Sequence, residues 1–480
     1  MPPNNLRVLI AGGGIGGLML AIIFEAAKID YLILERSACL QSTGSAIGLN
    51  ACILRLLEQL GLLSEIENIA KPIGGIRLSR EDLSTVGEMD FMFGEEHYGY
   101  YGLVMSRPEL YDILKARVPS EKILLQKQVI DVIELDEDEE PSPLSPSSPT
   151  TPTSPRSPTK KSRGKGGRRR PPRTRAGGVL CRCKDGTVYR GDILVGADGA
   201  YSSVRDCLYD RLQRQQKLPI FDSQPLDLSY VCVLGVSQVY DSKEIPATGK
   251  TFSGFELIVC EDGRLIWLSP LVNNRIAWCY GQSYESNPEK ETMAKAERWW
   301  GSNSTVTQDL QKRVEGIPTV YGLKLGDIVG STQPDMVSAV LLEDKTFETW
   351  HSKRVVLIGD ACHKMLPFAG QGAVHAMLDS ACLSNLLYGM TSHRTEDFEK
   401  VFEEYRAQRS TAASKAVYGS RCFGAFLTAP TFLGRLFRKA ILNAPACMTR
   451  AAIDFIMRDR PQLSFLPKVP DRGCSKAWWG

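Results

Sequence analysis

The feature that most constrains this chain is a glycine triplet near its start. Residues 6–11 form a short apolar run rich in β-formers, Gly12, Gly14 and Gly17 follow in the spacing GxGxxG, and Ile15–Ala27 carries apolar residues at helical spacing. Residues 31–34 are a second run of the buried type, so the first 35 residues predict a βαβ unit, the opening of a doubly wound, Rossmann-like α/β fold. Gly12 permits the tight turn, Gly14 lets the backbone approach a pyrophosphate, and Gly17 lets helix and strand pack closely. The helix start adds amide donors and positive dipole. Glu35 ends the second strand, where a carboxylate accepts hydrogen bonds from both hydroxyls of a ribose, and Arg36 beside it joins the candidate cofactor set. An acid at this place argues against a bound 2′-phosphate.

At 480 residues the chain exceeds what one core organises, which predicts interleaved domains. Residues 5–75, 106–205 and 346–400 read as parts of the nucleotide-binding domain. Residues 76–105 read as an excursion into a second sheet, 206–345 as a mainly antiparallel β-sheet substrate domain, and 401–480 as a helical C-terminal region. Residues 136–178 are rich in Pro, Ser and Arg without apolar periodicity and predict a disordered insertion between sheet strands. Six Ser/Thr-Pro steps within 142–158 are candidate kinase targets, with an unmodified spacer as the alternative reading. Residues 136–140 are all acidic, and ten Lys or Arg without an acid lie between Arg156 and Arg175. Outside those two runs the chain is not basic, so charge does not point to nucleic acid. Thirteen cysteines lack paired metal-ligand spacing, which predicts reduced thiols, no metal site and a cytoplasmic setting. The N-terminus does not read as a signal peptide, and no run of about twenty apolar residues predicts a transmembrane helix.

Four further segments decide between dinucleotides: GSAIG ending at Gly48, MSRPELYDIL with Arg107, GDILVGADGAYSSVR with Asp198 and Gly199, and GDACHKMLPFAGQG from residue 359. With the glycine triplet, they resemble the flavin-dependent monooxygenases of the para-hydroxybenzoate-hydroxylase-type fold, closest to the fungal FAD-dependent monooxygenases of the PaxM type. The resemblance covers about residues 5–135 and 179–420. It implies noncovalent FAD, with Glu35 at the adenosine ribose, Gly48 lining the cleft, Arg107 reaching the phosphates and Asp360 at the ribityl chain. Gly370, Gly372 and Ala373 would face the flavin ring, and Asp198 with Gly199 would touch both FAD and the reduced nicotinamide cofactor. Pro367 and the two glycines remove side chains where a flat ring meets the backbone. His363 has two readings, a flavin contact or a packed histidine. His375 and Leu378 depart from the family pattern, which leaves substrate contacts open. Tyr230 reads either as a catalytic or substrate-orienting residue or as a sheet tyrosine.

The activity implied is oxygenation of a small apolar organic substrate, terpenoid or aromatic, by a flavin hydroperoxide formed from NADPH or NADH and dioxygen. Hydroxylation and epoxidation both stand, as do two alternatives: an FAD oxidoreductase without oxygen insertion, and a flavoprotein acting through its disordered insertion. Residues 431–442 place Phe432, Leu433, Leu436 and Phe437 at helical spacing beside Arg435, Arg438 and Lys439. That helix either packs on the FAD domain or lies on a membrane surface.

Overall fold

The computed structural model describes residues 6–40, 44–135, 177–260, 262–283, 303–429 and 431–477. Its first layer is a six-stranded sheet in which Arg7–Ala11 lies between Ile193–Gly196 and Asp30–Leu34, all parallel, with Val8 opposite Ile193 and Ile10 opposite Ile33. Val355–Leu357 extends the sheet in parallel beyond Ile193–Gly196, and Ile123–Leu124 beyond Asp30–Leu34. The central strands are buried on both faces, which explains why their sequences are apolar without alternation. The helix Ile15–Ala27 is apolar nearly all round because it lies between this sheet and the helix Gly372–Tyr388. It closes on Lys28 in the left-handed conformation, whose amide bonds the last turn.

The second layer is a ten-stranded sheet, antiparallel apart from the pairing of Ser253–Val259 with Ala70–Arg80. The chain enters it before residue 76: Ala46–Leu49 pairs with Leu103–Ser106, and Ala70–Arg80 also belongs to it. The first of these strands is only four residues long, too short to display an alternation that separates it from a loop. In the region 206–345 the sheet is accompanied by the helices Asn303–Val314 and Leu325–Gly330, whose Leu310, Val314 and Ile328 pack with Trp278 and Ile266.

A small three-stranded sheet joins Val129–Leu135, Gly178–Cys183 and Val188–Gly191. Leu135 stands opposite Gly178, so the strands flanking the Pro/Ser/Arg-rich tract pair with each other. Gly178 is already in the strand rather than in the insertion, because its backbone (φ 144°) continues the pairing. The tract itself, with its Ser/Thr-Pro steps, lies outside the described residues.

The C-terminal region holds the helices Thr395–Thr428, Phe432–Leu442 and Ala446–Met457. The chain after them returns to the helix Ala51–Gln59, where Arg55 donates to the Val469 carbonyl and Gln59 to the Leu463 carbonyl. The helix Phe432–Leu442 does not pack on the FAD domain through its apolar face. It rests on the edge strand Thr85–Asp90 and on the end of Thr395–Thr428, with Arg438 turned inward to the Leu427 carbonyl and Leu442 against Gly87. Phe432, Leu433, Leu436 and Phe437 point to solvent. Among the described residues no helix is long and apolar enough to cross a membrane.

Candidate active site

The carboxyl ends of the parallel strands open into a groove of about 310 Å³. In doubly wound sheets this is where dinucleotides bind. Its lining includes Gly12, Gly14, Glu35, Arg36, Arg107, Asp198 and Gly199. The glycines divide their duties. Gly12 has φ 101°, and a Cβ there would stand 2.5 Å from the Ala197 carbonyl oxygen. At Gly17 a Cβ would come within 2.1 Å of the Gly12 carbonyl oxygen, so this glycine serves the contact of helix with turn beneath the groove. Gly14 has an ordinary φ of −72° and nothing within 4 Å of the Cβ position; its open space is the groove itself.

Glu35 is fixed from both sides. Its Oε2 accepts from the Gly13 amide at 2.7 Å and its Oε1 from the Ser37 amide at 2.8 Å, which holds the carboxylate at the groove wall. Tyr111, which sequence reasoning passed over, donates to the Gly13 carbonyl at 2.7 Å and so pins the same loop from the opposite side. The signal for it was present: Tyr111 follows Arg107 by four residues on the helix Arg107–Ala116 and shares its face. Lys127 and Gln128 also line the groove and had no motif to mark them. Gly44 (φ 124°) makes room for the Arg107 side chain, 3.3 Å from its Cβ position. Desolvation lowers the Arg107 pKa against the opposing charge of Asp360, which relates the groove to the GDACH turn.

The Asp198 carboxylate is engaged with the next helix, Ser203–Arg214. It accepts from the Ser202 hydroxyl, from the Val204 amide at 3.1 Å and from the Ser203 hydroxyl at 3.2 Å. Desolvation pushes its pKa up and those bonds oppose the rise. Gly199, with φ 84° and no atom near its Cβ position, presents bare backbone to the groove. Arg205 links this loop to the GDACH turn by donating to the carbonyls of Ala200 at 2.8 Å and Ala361 at 3.1 Å.

Gly48, Asp360, Gly370, Gly372 and Ala373 lie outside this groove's lining. Gly48 sits in the strand Ala46–Leu49 opposite Val104, and Asp360 in the single turn Gly359–Ala361. Gly370 (φ 62°) ends the turn Pro367–Ala369, two residues before Gly372 starts the helix Gly372–Tyr388, with Ala373 partly buried next to it. Tyr230 meets that turn from the large sheet: its ring is 5.1 Å from that of Phe368, edge to face.

Behind the turn lies a buried charge network. Asp379 accepts from the Gly359 amide at 2.9 Å and from Arg409 Nε at 2.9 Å, and its Oδ2 is 2.6 Å from His363 Nε2. Arg409 also donates to His375 Nδ1 at 3.0 Å. His363 is therefore a packed, hydrogen-bonded histidine, fully buried beside Trp350. Burial alone would raise the Asp379 carboxyl, but the charges and hydrogen bonds of His363 and Arg409 outweigh it and hold it far below the usual carboxylate range. Burial, reinforced by the Arg409 charge, keeps His375 neutral well below the ordinary imidazole value. Sequence reasoning noted the departure at position 375 without finding its partner, which lies on another helix.

Comparison with known proteins agrees with this geometry. Residues 5–140 and 182–420 match the family described as FAD binding domain. The chain is 27% identical to the FAD-dependent monooxygenase janM of Penicillium janthinellum, over 100% of this chain and 89% of that one. It is 29% identical to the FAD-dependent monooxygenase pyr5 of Aspergillus fumigatus, over 80% and 72% of the two chains. Klebsiella pneumoniae HpxO, solved with FAD and uric acid, superposes with a TM-score of 0.69 at 17% identity, covering 96% of this chain and 98% of that one. For 2,6-dihydroxypyridine-3-hydroxylase from Arthrobacter nicotinovorans the TM-score is 0.63 at 16% identity, covering 90% and 95%. At those identities the structural likeness speaks for the fold.

Proposed function

This chain belongs to the FAD binding domain family, and from that premise we propose that it is an FAD-dependent monooxygenase that draws electrons from NADPH or NADH and puts one atom of dioxygen on a small apolar organic molecule. The observation that carries the reading is the groove at the strand ends, where an open glycine cradle at Gly14 faces a carboxylate held by two backbone amides. These residues fit the cofactor. Gly14 and the start of the helix Ile15–Ala27 would hold its pyrophosphate, Glu35 its adenosine ribose, Arg107 its phosphates and Asp360 its sugar chain. The backbone of Gly370, Gly372 and Ala373 would face its ring, where amides at a helix start favour negative charge.

Bound flavin supplies the two-electron and oxygen chemistry; the chain's own groups bind, orient and exclude water. Asp198 shapes its loop by capping the following helix, which leaves the Gly199 backbone as the approach for a nicotinamide ring. The sequence contains no second GxGxxG, so that cofactor would bind transiently against the flavin rather than in a domain of its own. Tyr230 and Phe368 would form a wall for the substrate, with the tyrosine orienting it. Dioxygen and an apolar substrate follow from the same reading.

The test is oxidation of NADPH and NADH by the purified yellow protein, with and without apolar terpenoid and aromatic candidates, under labelled dioxygen. Substrate-stimulated oxidation and one labelled oxygen per product molecule are expected, and loss of an alkene signal would identify epoxidation. Cofactor oxidation that never incorporates label with any stimulating substrate would refute the proposal.

A further inference from the structure

The helix Phe432–Leu442 presents its faces the wrong way round for a helix that belongs to a core. Side chains at this spacing ordinarily turn their apolar stripe inward. Here Phe432, Leu433, Leu436 and Phe437 are 73%, 75%, 50% and 63% exposed, while Arg438 is buried. The side held against the protein consists of Gly434, Arg438 and Leu442, the last of them packed with the cluster of Leu78, Leu257, Leu265 and Leu427. The docking contact therefore lies opposite the apolar face and leaves that face intact.

Charge accompanies the apolar face. At a hundred degrees per residue Arg435 and Lys439 fall along one flank of it, and both are exposed. The helix carries no acid, and between Glu404 and Asp454 the chain has no Asp or Glu at all. An apolar face bordered by cations matches the layered chemistry of an anionic bilayer, with acyl chains below the phosphates. At eleven residues the helix is about 16 Å long, suited to lying in the interface and too short to cross it.

We propose that the helix Phe432–Leu442 is a membrane-surface anchor, inserting Phe432, Leu433, Leu436 and Phe437 among the acyl chains of an anionic leaflet while Arg435 and Lys439 meet its phosphates. Thr431 prepares the insertion by capping the helix start, its hydroxyl accepting from the Gly434 amide at 3.1 Å. The helix is thus folded before it meets lipid, and binding need not supply the cost of ordering it.

The experiment is flotation of the full-length, FAD-loaded protein with vesicles of phosphatidylcholine alone and of phosphatidylcholine with phosphatidylserine, at low and high salt. Wild type should float with the anionic vesicles at low salt and remain below with the neutral ones. Arg435→Gln with Lys439→Gln should lower the partition coefficient roughly thirtyfold, about fivefold per cation. Phe432→Ser with Phe437→Ser should lower it by roughly a hundredfold. Because both phenylalanines are exposed, this variant should keep its FAD and its melting midpoint. Wild type that stays below with anionic vesicles overturns the proposal, as does a serine variant that floats as well as wild type. A serine variant that turns a dimer into a monomer while leaving flotation unchanged would assign the face to a second copy of the chain and overturn it too.

Discussion

Gly12 and Gly14, two residues apart, should fail in opposite ways when each is given a single methyl group. In Gly12→Ala the new Cβ would meet the Ala197 carbonyl oxygen at 2.5 Å, its carbonyl carbon at 2.8 Å and Asp198 Cα at 2.8 Å, all backbone atoms with no rotamer to escape into. The backbone there also has φ 101°, which an alanine resists. Dihedral strain and overpacking each cost about 1–3 kcal/mol, which makes the sum about 4 kcal/mol. At about 2.1 cal/mol/K of unfolding entropy per residue, a chain of 480 residues shifts by about 1 °C per kcal/mol, so the melting midpoint should fall by about 4 °C. In Gly14→Ala the methyl meets no atom and φ is ordinary, so the apo-protein should lose no more than about 1 kcal/mol, the difference between glycine and alanine at a helix N-cap. Its methyl would instead occupy the space assigned to the pyrophosphate. FAD affinity should fall at least about tenfold, or about 1.4 kcal/mol. The assay is thermal unfolding of both apo-proteins by circular dichroism, followed by FAD titration. If Gly14→Ala unfolds as early as Gly12→Ala, or binds FAD as tightly as wild type, the division of roles is wrong.

The remaining predictions concern the network and the tract. Asp379→Ala should destabilise the protein by about 3 kcal/mol in urea unfolding, because the buried Arg409 guanidinium keeps only the 3.4 Å contact with Asp459 and His363 loses its carboxylate partner; a loss under 1 kcal/mol would show that the network is dispensable. Since the folded pKa of His375 is depressed, the unfolded chain takes up a proton below pH about 6.5 that the folded protein refuses, at a cost of up to about 1.4 kcal/mol per pH unit. Stability should therefore fall as pH drops below that value, and His375→Gln should flatten the slope in the same titration. Deleting residues 141–175 should leave FAD content and melting unchanged, since the flanking strands already pair at Leu135 and Gly178; loss of flavin would place the tract inside the fold.

What could be read from the residues was what depends on neighbours in the chain. The glycine loop, the first helix and the strand ending at Glu35 are a local pattern, because turn, helix and carboxylate lie within 24 residues of one another. Tyr111, Arg205 and the Asp379–Arg409 pair were missed because their partners are distant in sequence: Tyr111 bonds a carbonyl 98 residues away and Arg205 one 156 residues away. Apolar spacing at residues 432–442 revealed a helix without saying which side would meet the protein, since that depends on the shape of the edge strand it rests on. Asp198 was legible as part of a motif, but its carboxylate turns to Ser202, Ser203 and Val204, a local capping geometry that the DG pair alone does not display.

The sheet order has a further consequence, in time. Arg7–Ala11 leaves the ribosome early, yet its neighbour Ile193–Gly196 and the next strand, Val355–Leu357, are made far later. At roughly 5–20 residues per second, the first strand waits roughly 20–70 s for the last parallel strand of its sheet. During that interval the Arg7–Ala11 strand has one of its two final partners missing for much of the wait, and its apolar faces lack their full cover. Long-range parallel pairing is slow even in a finished chain. Nascent protein should therefore depend on chaperone occupancy until residue 357 has emerged, and soluble yield should improve when synthesis is slowed by cooling relative to the capacity of that machinery.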